Sequence, residues 1–425
     1  MLYFERGSKT DVIAPEEARA ALVGVLNALG HRERVLAIPP DFTRFHSQAG
    51  MFTRFAFDFY GDRLMDILPA LGTHSPMTAE QLDEMFTGIP HDRFCEHDWR
   101  SGVVTLGEVP ADFVREVSDG AVDYSWPAQV GHLLIDGGHD LILSIGQVVP
   151  HEVIGMANHS KNIFVGTGGP EGINKSHFLG AAYGMERMMG RADTPVRRVL
   201  DYACEHFAAD LPIVYVQTVI GRDESGELQL RGLYIGDGRD CFDRAAELSL
   251  KVNFEMVEEP LKKVVVYLDP AEFKSTWLGN KSIYRTRMAI ADDGELIVLA
   301  PGVCEFGEDA EIGRLIRAYG YVGTPAVLAA LKKHPELGNN LSAAAHLIHG
   351  SSEGRFTITY CPGHLSENEI RGVNFNYAPL DAMLERYDPA TLTDGVNVMA
   401  DGEEIFYISN PAIGLWSWRE RFEGN

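Results

Sequence analysis

A high density of chemically capable side chains marks residues 150–180. This stretch holds three histidines and two lysines among six glycines and two prolines: His151, His159, His177, Lys161 and Lys175. Imidazole titrates near neutral pH and binds metal ions, and a lysine amine that is neutral and partly buried is a nucleophile. Glycines allow backbone N–H groups to close around a phosphate or a flat ring. The stretch therefore predicts a cofactor-binding cradle.

Two histidines follow predicted strands and short bends, a placement that suits proton transfer. His74 lies in the run G-T-H-S-P-M at residues 72–77, and His151 directly follows Pro150. Two such groups would face one substrate from opposite sides, as racemases and epimerases require, because inversion needs a group acting on each face. The alternative is structural: each histidine only forms hydrogen bonds within its own loop.

A polar turn, Asp41-Phe42-Thr43-Arg44, follows another predicted strand. Arg44 offers a planar fork to a carboxylate or phosphate, and Thr43 offers a hydroxyl. The alternative is an ordinary turn in which Asp41 caps the next segment. The sequence does not separate the two interpretations.

Lys161 lies between apolar runs at residues 154–157 and 163–165, which predicts that it is inaccessible. A buried lysine needs a charged partner or a covalent role. His177 is either a metal ligand or a histidine at the edge of the core. The sequence has scattered cysteines and no H-x-x-x-H or H-x-H pair, so a metal bound by His177 would take most of its ligands from elsewhere, for which a cofactor is the candidate.

Residues 280–287, N-K-S-I-Y-R-T-R, gather polar and basic groups on a predicted short helix or turn of an acidic chain. This run includes Tyr284 and Arg285. One interpretation is that it clamps an anionic substrate from a second domain. The other is a solvated helix face.

Short strands alternate with helices along the chain, which predicts an α/β fold. We expect strands at residues 34–38, 64–68, 141–145, 263–268, 296–299 and 404–409, and helices that begin at Pro15, after Thr78 with Gln81 in a capping box, and at residues 269–272. The apolar run at 141–145 is typical of a buried parallel strand. The candidate residues follow such strands, and open α/β sheets bind ligands beyond the carboxyl ends of their strands.

The length of 425 residues predicts more than one domain. We expect two α/β domains with the active site in the cleft between them. The N-terminal cofactor-binding domain is predicted over residues 1–258, with 401–425 as a segment that returns to it. A smaller C-terminal domain is predicted over residues 259–400.

Composition restricts the partners. A net charge of −24 argues against a nucleic-acid or anionic-membrane surface. The N-terminus lacks the apolar core and cleavage site of a secretion signal, and no run approaches the ~18 apolar residues of a membrane helix. The five cysteines are scattered, as in reduced proteins. We therefore expect a cytoplasmic protein with no nucleic-acid or membrane partner.

Taken together, these motifs resemble the lactate-racemase-like proteins that use a nickel-pincer nucleotide. The resemblance rests on a D-x-[ST]-R turn at Asp41–Arg44, then G-T-H-x-P-M at residues 72–77, then P-H at 150–151. A lysine follows that histidine after ten residues, and a further histidine follows the lysine after sixteen. The motif order and the total length extend the resemblance over most of the chain.

The resemblance implies a racemase or epimerase that inverts C2 of a 2-hydroxy acid by reversible hydride transfer. The implied cofactor is a nickel pyridinium-3,5-bisthiocarboxylic acid mononucleotide, covalently attached at Lys161, with His177 as the protein ligand of nickel. His74 and His151 become the acid/base pair, Arg44 an anion contact, and Asp41 and Thr43 neighbours of the nucleotide. The family also depends on accessory enzymes that synthesise the cofactor.

The chain departs from the family after the domain junction. Relatives that act on lactate resemble Y-Q-x-x-K, whereas this chain reads Tyr284-Arg285-Thr286-Arg287-Met288. Arg285 replaces the glutamine and Met288 stands where the lysine would be. Together with His159 near Lys161, this departure favours a substrate larger or more anionic than lactate, such as a sugar acid or a hydroxydiacid, bound in part by Tyr284 and Arg285.

Two other functions fit the residues. The first is a metal-dependent hydrolase or lyase in which His74, His151 and His177 bind the metal directly. The second is a non-catalytic sensor that binds an anion in the cradle.

Overall fold

The computed structural model describes residues 1–223, 226–412 and 414–424. The chain forms two compact units. Unit 1 comprises Met1–Leu179 and Met189–Asn253, and unit 2 comprises Gly180–Met188 and Phe254–Asn425. Each unit combines helices with a six-stranded sheet, which confirms the predicted α/β fold.

The strands of unit 1 are β1 Leu2–Gly7, β2 Val35–Ile38, β3 Leu64–Ile67, β4 Val103–Val109, β5 Trp126–Gly131, β6 Leu141–Gln147, β7 Pro150–His151, β8 Gly155–Met156, β9 Ile213–Arg222 and β10 Leu228–Gly236. Those of unit 2 are β11 Phe254–Val257, β12 Leu261–Tyr267, β13 Ile290–Ala300, β14 Thr357–Pro362, β15 Asn376–Tyr377, β16 Gly395–Val398, β17 Glu404–Ile408 and β18 Leu415–Trp418.

The first eight helices in chain order are α1 Pro15–Ala28, α2 Ala49–Tyr60, α3 Ala79–Met85, α4 Ala111–Val117, α5 Leu133–Asp136, α6 Pro170–Tyr183, α7 Pro195–Phe207 and α8 Arg239–Asn253. The later ones are α9 Thr276–Gly279, α10 Lys281–Tyr284, α11 Ala310–Tyr319, α12 Thr324–Leu331, α13 Pro335–Gly338, α14 Leu341–His349, α15 Glu367–Gly372, α16 Leu380–Arg386 and α17 Arg419–Gly424. Short 3-10 turns lie at Phe42–Ser47, Gly61–Arg63, His91–Arg93 and Met185–Arg187, and a π-helical turn at Asn162–Gly166.

The sheet of unit 1 has the order β1-β10-β9-β6-β2-β3. Strands β9, β6, β2 and β3 run parallel to one another, with Val35 opposite Leu141 and Ile38 opposite Ser144, whereas β10 pairs antiparallel with β9. The carboxyl ends of β2, β3 and β6 therefore meet at one edge of the sheet, the edge at which α/β proteins bind ligands. The segments that follow these three strands carry Asp41, His74 and, in the short strand β7, His151.

Burial of both faces explains why β2 and β6 are continuous apolar runs. Every residue of both strands is buried. Helices α1 and α2 cover one face, where Leu22, Leu26 and Phe52 pack in one core with strand residues such as Val35 and Leu143. Complete burial of each such side chain stabilises the fold by roughly 1.5–3 kcal/mol. This core holds the strand ends in place.

Two predicted helix starts are confirmed. Pro15 occupies the first turn of α1, and Thr78 and Gln81 form the expected capping box of α3. The predicted helix at residues 269–272 is wrong, because these residues form a turn in which the Asp269 carboxylate accepts the Ala271 N–H. The next helix begins later and is capped by Ser275.

The larger sheet of unit 2 has the order β15-β14-β13-β12-β17-β16. Strand β17 lies parallel to β12, with Tyr407 opposite Val265, and β18 pairs with β11. The C-terminal segment that we expected to return to the first domain therefore belongs to unit 2, because its strands complete the sheets there.

Candidate functional site

Asp41 and His74 form a hydrogen-bonded pair beyond the ends of β2 and β3. The buried Asp41 carboxylate accepts Nδ1–H of His74 at 2.6 Å and the Thr43 hydroxyl at 2.5 Å. It also accepts the Thr43 N–H and so caps the 3-10 turn that follows, which confirms the capping role that the alternative interpretation of this turn gave to Asp41. Because Nδ1 of His74 donates to Asp41, the neutral ring leaves its Nε2 lone pair available for a proton.

Opposing effects set the ionisation of Asp41. Burial raises its pKa, but the hydrogen bonds from His74 and Thr43 and the positive charges of His74 and Arg44 outweigh burial, so the pKa lies below its usual value. Asp41 is therefore an anion that can stabilise a protonated His74.

His151 lies in the short ribbon of β7 and β8 and is only 6% exposed. Its Nδ1 accepts the Val153 N–H at 3.1 Å, which places the proton of the neutral ring on Nε2. Burial lowers the pKa of His151 well below its usual value; the charges of Lys161, Arg44 and His177 add to this effect, and Glu152 opposes it. His151 is thus a neutral donor.

Lys161 precedes the π-helical turn Asn162–Gly166. The Asn162 amide ties this turn to the sheet, donating to the Ile38 carbonyl at 2.9 Å and to Ser144 Oγ at 3.0 Å. Burial and then the charge of Arg44 lower the pKa of Lys161 to about 8, while Glu152 and Asp41 oppose them. A substantial fraction of this amine is therefore neutral near physiological pH, as a nucleophile requires.

His177 lies on α6, half-buried, with Nδ1 donating to the Ile173 carbonyl at 2.7 Å. Burial lowers its pKa; the Ile173 carbonyl and Glu152 oppose that change, and the charges of Lys161 and His74 reinforce it. A neutral imidazole whose Nδ1–H is held by a carbonyl presents Nε2 as a metal ligand.

The structure brings the candidates of unit 1 into one electrostatic cluster. Each of its members perturbs, or is perturbed by, the ionisation of at least one other member: Asp41, Arg44, His74, His151, Lys161 and His177. Thr43 joins the cluster through Asp41.

Sequence reasoning missed Glu152. Its Oε2 lies 3.7 Å from Nδ1 of His151, and its charge raises the pKa values of His151, Lys161 and His177. The sequence feature that could have indicated Glu152 is its position directly after His151, in a stretch that is otherwise rich in histidine and lysine.

Two basic residues of the cradle pack outside this cluster. The buried His159 ring stacks on Tyr215 at a centroid distance of 3.9 Å and also contacts Phe242. Lys175 donates to Glu171 at 2.6 Å and to the Ser125 carbonyl at 2.8 Å. Both side chains have structural partners.

Tyr284 and Arg285 belong to unit 2, where both are buried. Arg285 Nη1 donates to the Gly414 carbonyl at 3.0 Å. Arg287 is also buried and donates to Glu186 at 3.2 Å. The basic run is therefore not a solvated helix face.

Unit 2 also has a cavity of about 300 Å³ with several charged side chains in its lining. Its lining includes three arginines and two glutamates, which are Arg187, Arg287, Arg355, Glu186 and Glu353. The sequence pattern did not predict this cavity, because its charged residues come from distant parts of the chain.

Within residues 1–223, 226–412 and 414–424, no group of three or more His, Cys, Asp or Glu side chains is arranged to hold a metal ion. His74, His151 and His177 are thus not grouped as a three-histidine ligand set within these residues. The same residues include no helix that is both long and apolar enough to cross a membrane.

Comparison with known proteins shows the fold. No protein-family model matches the chain, and no curated protein matches it by sequence. A structural-genomics crystal structure from Thermotoga maritima is 24% identical with a TM-score of 0.81, covering 97% of this chain and 100% of the other. The lactate racemase apoprotein from Thermoanaerobacterium thermosaccharolyticum is 14% identical with a TM-score of 0.71, covering 97% and 94%. The chain therefore has a lactate racemase-like fold.

Proposed function

We propose that this protein is a racemase or epimerase that inverts C2 of a 2-hydroxy acid with a nickel-pincer nucleotide. The observation that carries the proposal is the cluster in which an amine with a pKa of about 8 shares its surroundings with three histidines and an arginine. The lactate racemase-like fold is consistent with it.

The residues present suit the cofactor. Lys161 supplies a neutral amine for a covalent link, and Nε2 of His177 supplies one nitrogen ligand for nickel. A cofactor that brings its remaining metal ligands with it fits a cluster without a three-residue metal-binding group. Thr43 is the proposed neighbour of the nucleotide, together with Asp41, whose carboxylate also holds His74. When bound, such a cofactor supplies a hydride acceptor.

His74 is the base for one enantiomer of the substrate. Its Nε2 takes the proton of the 2-hydroxyl, and Asp41, 2.6 Å from Nδ1, stabilises the positive charge that forms on the ring. Arg44 holds the substrate carboxylate with its planar fork. These contacts orient C2 for inversion.

His151 acts on the opposite enantiomer. Because Nδ1 accepts from Val153, the neutral ring carries its proton on Nε2, and this Nε2–H donates a hydrogen bond to the substrate oxygen. To act as a base at Nε2 the ring must move its proton to Nδ1 and release Val153. Glu152, whose Oε2 lies 3.7 Å from Nδ1, is then the acceptor for that proton.

The proposed substrate is larger or more anionic than lactate. The proposal assigns Tyr284 and Arg285 to substrate recognition, since Arg285 replaces the family's glutamine. Arg285 donates to the Gly414 carbonyl at 3.0 Å, a contact that orients its guanidinium.

The test is coexpression with the cofactor-synthesis enzymes, followed by intact-mass analysis, nickel determination and a screen of 2-hydroxy acids deuterated at C2. We expect one adduct on Lys161 and inverted product that retains the C2 label. Activity with a divalent metal and no adduct would favour the hydrolase or lyase instead. Thermal stabilisation by an anion, without turnover by the loaded protein, would favour the sensor.

A further inference from the structure

The turn before Lys161 has an unusual backbone. Asn158 and His159 both adopt positive φ angles, 68° and 57°, a left-handed conformation that residues with a Cβ rarely adopt. Two such residues in succession persist only where surrounding contacts determine the backbone. Contacts from another segment must therefore stabilise this turn.

Arg197, on α7, makes those contacts. Its side chain is fully buried, and its guanidinium donates to the Met156 carbonyl at 2.7 Å, the Asn158 carbonyl at 3.1 Å and Ser160 Oγ at 2.7 Å. The planar fork thus spans the turn and satisfies two of its carbonyls at once. Its central carbon lies 4.1 Å from the centroid of the Phe242 ring.

A carboxylate on the same helix completes the contact. Asp201 accepts the Ser160 hydroxyl at 2.8 Å and forms an ion pair with Arg239. Ser160 therefore lies between Arg197 and Asp201, accepting from one and donating to the other. Because a buried charge-assisted network is costly to leave partly satisfied, it favours one backbone conformation of the turn.

We infer that Arg197 is the positioning residue for Lys161: it holds the left-handed turn so that the amine enters the cluster of His151 and His177 rather than solvent. The inference rests on the proposed function only for the covalent role of Lys161. Lysine cannot replace Arg197 fully, because a single ammonium lacks the fork that reaches two carbonyls and a hydroxyl.

The experiment uses cofactor-free full-length protein and the variants Arg197→Met, Arg197→Lys and Ser160→Ala. Trace acetic anhydride labels neutral amines, so peptide mass spectrometry over a pH series gives the midpoint of Lys161 labelling. Hydrogen exchange of residues 156–162 reports the turn in the same samples. The matched control is Arg198→Met, which removes the neighbouring, exposed arginine that pairs with Asp193.

In Arg197→Met we expect exchange of the turn to rise by about 10-fold or more, as loss of buried hydrogen bonds to a charged group implies. The Lys161 midpoint should move from about 8 toward the ordinary ~10.4. Because the charge of Arg197 itself lowers the pKa of Lys161, the variant Arg197→Lys, which keeps that charge, separates loss of positioning from loss of charge. Arg197→Lys should restore part of both changes, and Arg198→Met should show neither.

A folded Arg197→Met protein with unchanged exchange and midpoint overturns the inference, as does an equal effect of Arg198→Met. If Arg197→Met does not fold, Ser160→Ala decides: a smaller shift in the same direction supports the inference and no shift overturns it. None of these readouts needs the cofactor, so they stand apart from the racemase test.

Discussion

Both units hold cationic side chains that are buried or partly buried, but Arg287 in unit 2 and Lys161 in unit 1 are compensated differently. In unit 2, Arg287 lies 3.2 Å from Glu186 and 3.9 Å from Glu353, and Arg355 shares Glu186 at 2.7 Å. In unit 1, Lys161 and Arg44 lie among histidines, and the carboxylates that act on Lys161 are Glu152 and Asp41.

The side chain decides the consequence of burial. Burial lowers the pKa of Arg287, with Glu186 and Glu353 opposing, yet an arginine remains charged at any physiological pH. Its ion pairs therefore connect segments of unit 2. A lysine under similar desolvation releases its proton near neutrality. The difference shows that a buried arginine paired with carboxylates stabilises the packing of its unit. A lysine whose neighbouring carboxylates do not offset desolvation has a lowered pKa and becomes a nucleophile near neutral pH.

The largest expected effect comes from Lys161→Met, which removes the amine and keeps the volume. We expect no covalent adduct and no racemisation after coexpression with the cofactor-synthesis enzymes, measured by intact mass and chiral chromatography. Lys175→Met is the control, because Lys175 bonds Glu171 and a backbone carbonyl, and it should keep the adduct. An adduct on the Lys161→Met protein would contradict the assignment.

His74→Gln and His151→Gln should each slow interconversion by about 10²–10⁴-fold, the usual contribution of a general acid or base. Nickel content and the Lys161 adduct should remain, since neither histidine is the proposed ligand. The exposed His132 provides the control variant His132→Gln. Racemisation at the parental rate in either variant would refute the two-histidine scheme.

Arg287→Met tests the other side of the comparison. It leaves Glu186 and Glu353 without this buried partner, and we expect the free energy of unfolding to fall by about 3–5 kcal/mol, measured by urea denaturation. Arg314→Met removes a surface partner of Glu311 and should cause no measurable change. Equal stabilities of the two variants would show that the buried network does not fasten unit 2.

The smallest expected effect is a shift along the pH axis. Lysine is cationic below its pKa, so a value lowered to about 8 means that labelling of cofactor-free protein rises through pH 8. Ordinary lysines label with a midpoint about two units higher, near 10.4. Peptide mass spectrometry of Lys161, with the exposed Lys333 as reference for the reagent, gives the midpoint. Identical labelling curves for Lys161 and Lys333 would show that the pKa of Lys161 is not lowered and would remove its contrast with the arginines of unit 2.

Much of unit 1 was predictable because its signals are local. The apolar run at 141–145, Pro15 and the Thr78–Gln81 box predicted β6, α1 and α3, since periodicity and capping act within a few residues. The same local reasoning misplaced a helix at residues 269–272. There Asp269 begins a side-chain-capped turn, and such a turn has the same residue types as a helix start.

The sequence alone predicted the α/β fold, which is confirmed, and the strand ends that carry polar residues, and it proposed the set Asp41, His74, His151, Lys161 and His177. Only the tertiary structure decided which histidine nitrogen carries a proton, that Glu152 enters the cluster, that Arg285 and Arg287 are buried, and that Arg197 spans the turn before Lys161. The types of residue and their spacing along a chain indicate local conformation. The ionisation of a side chain and the direction of its hydrogen bonds depend on neighbouring groups that come from distant segments of the chain.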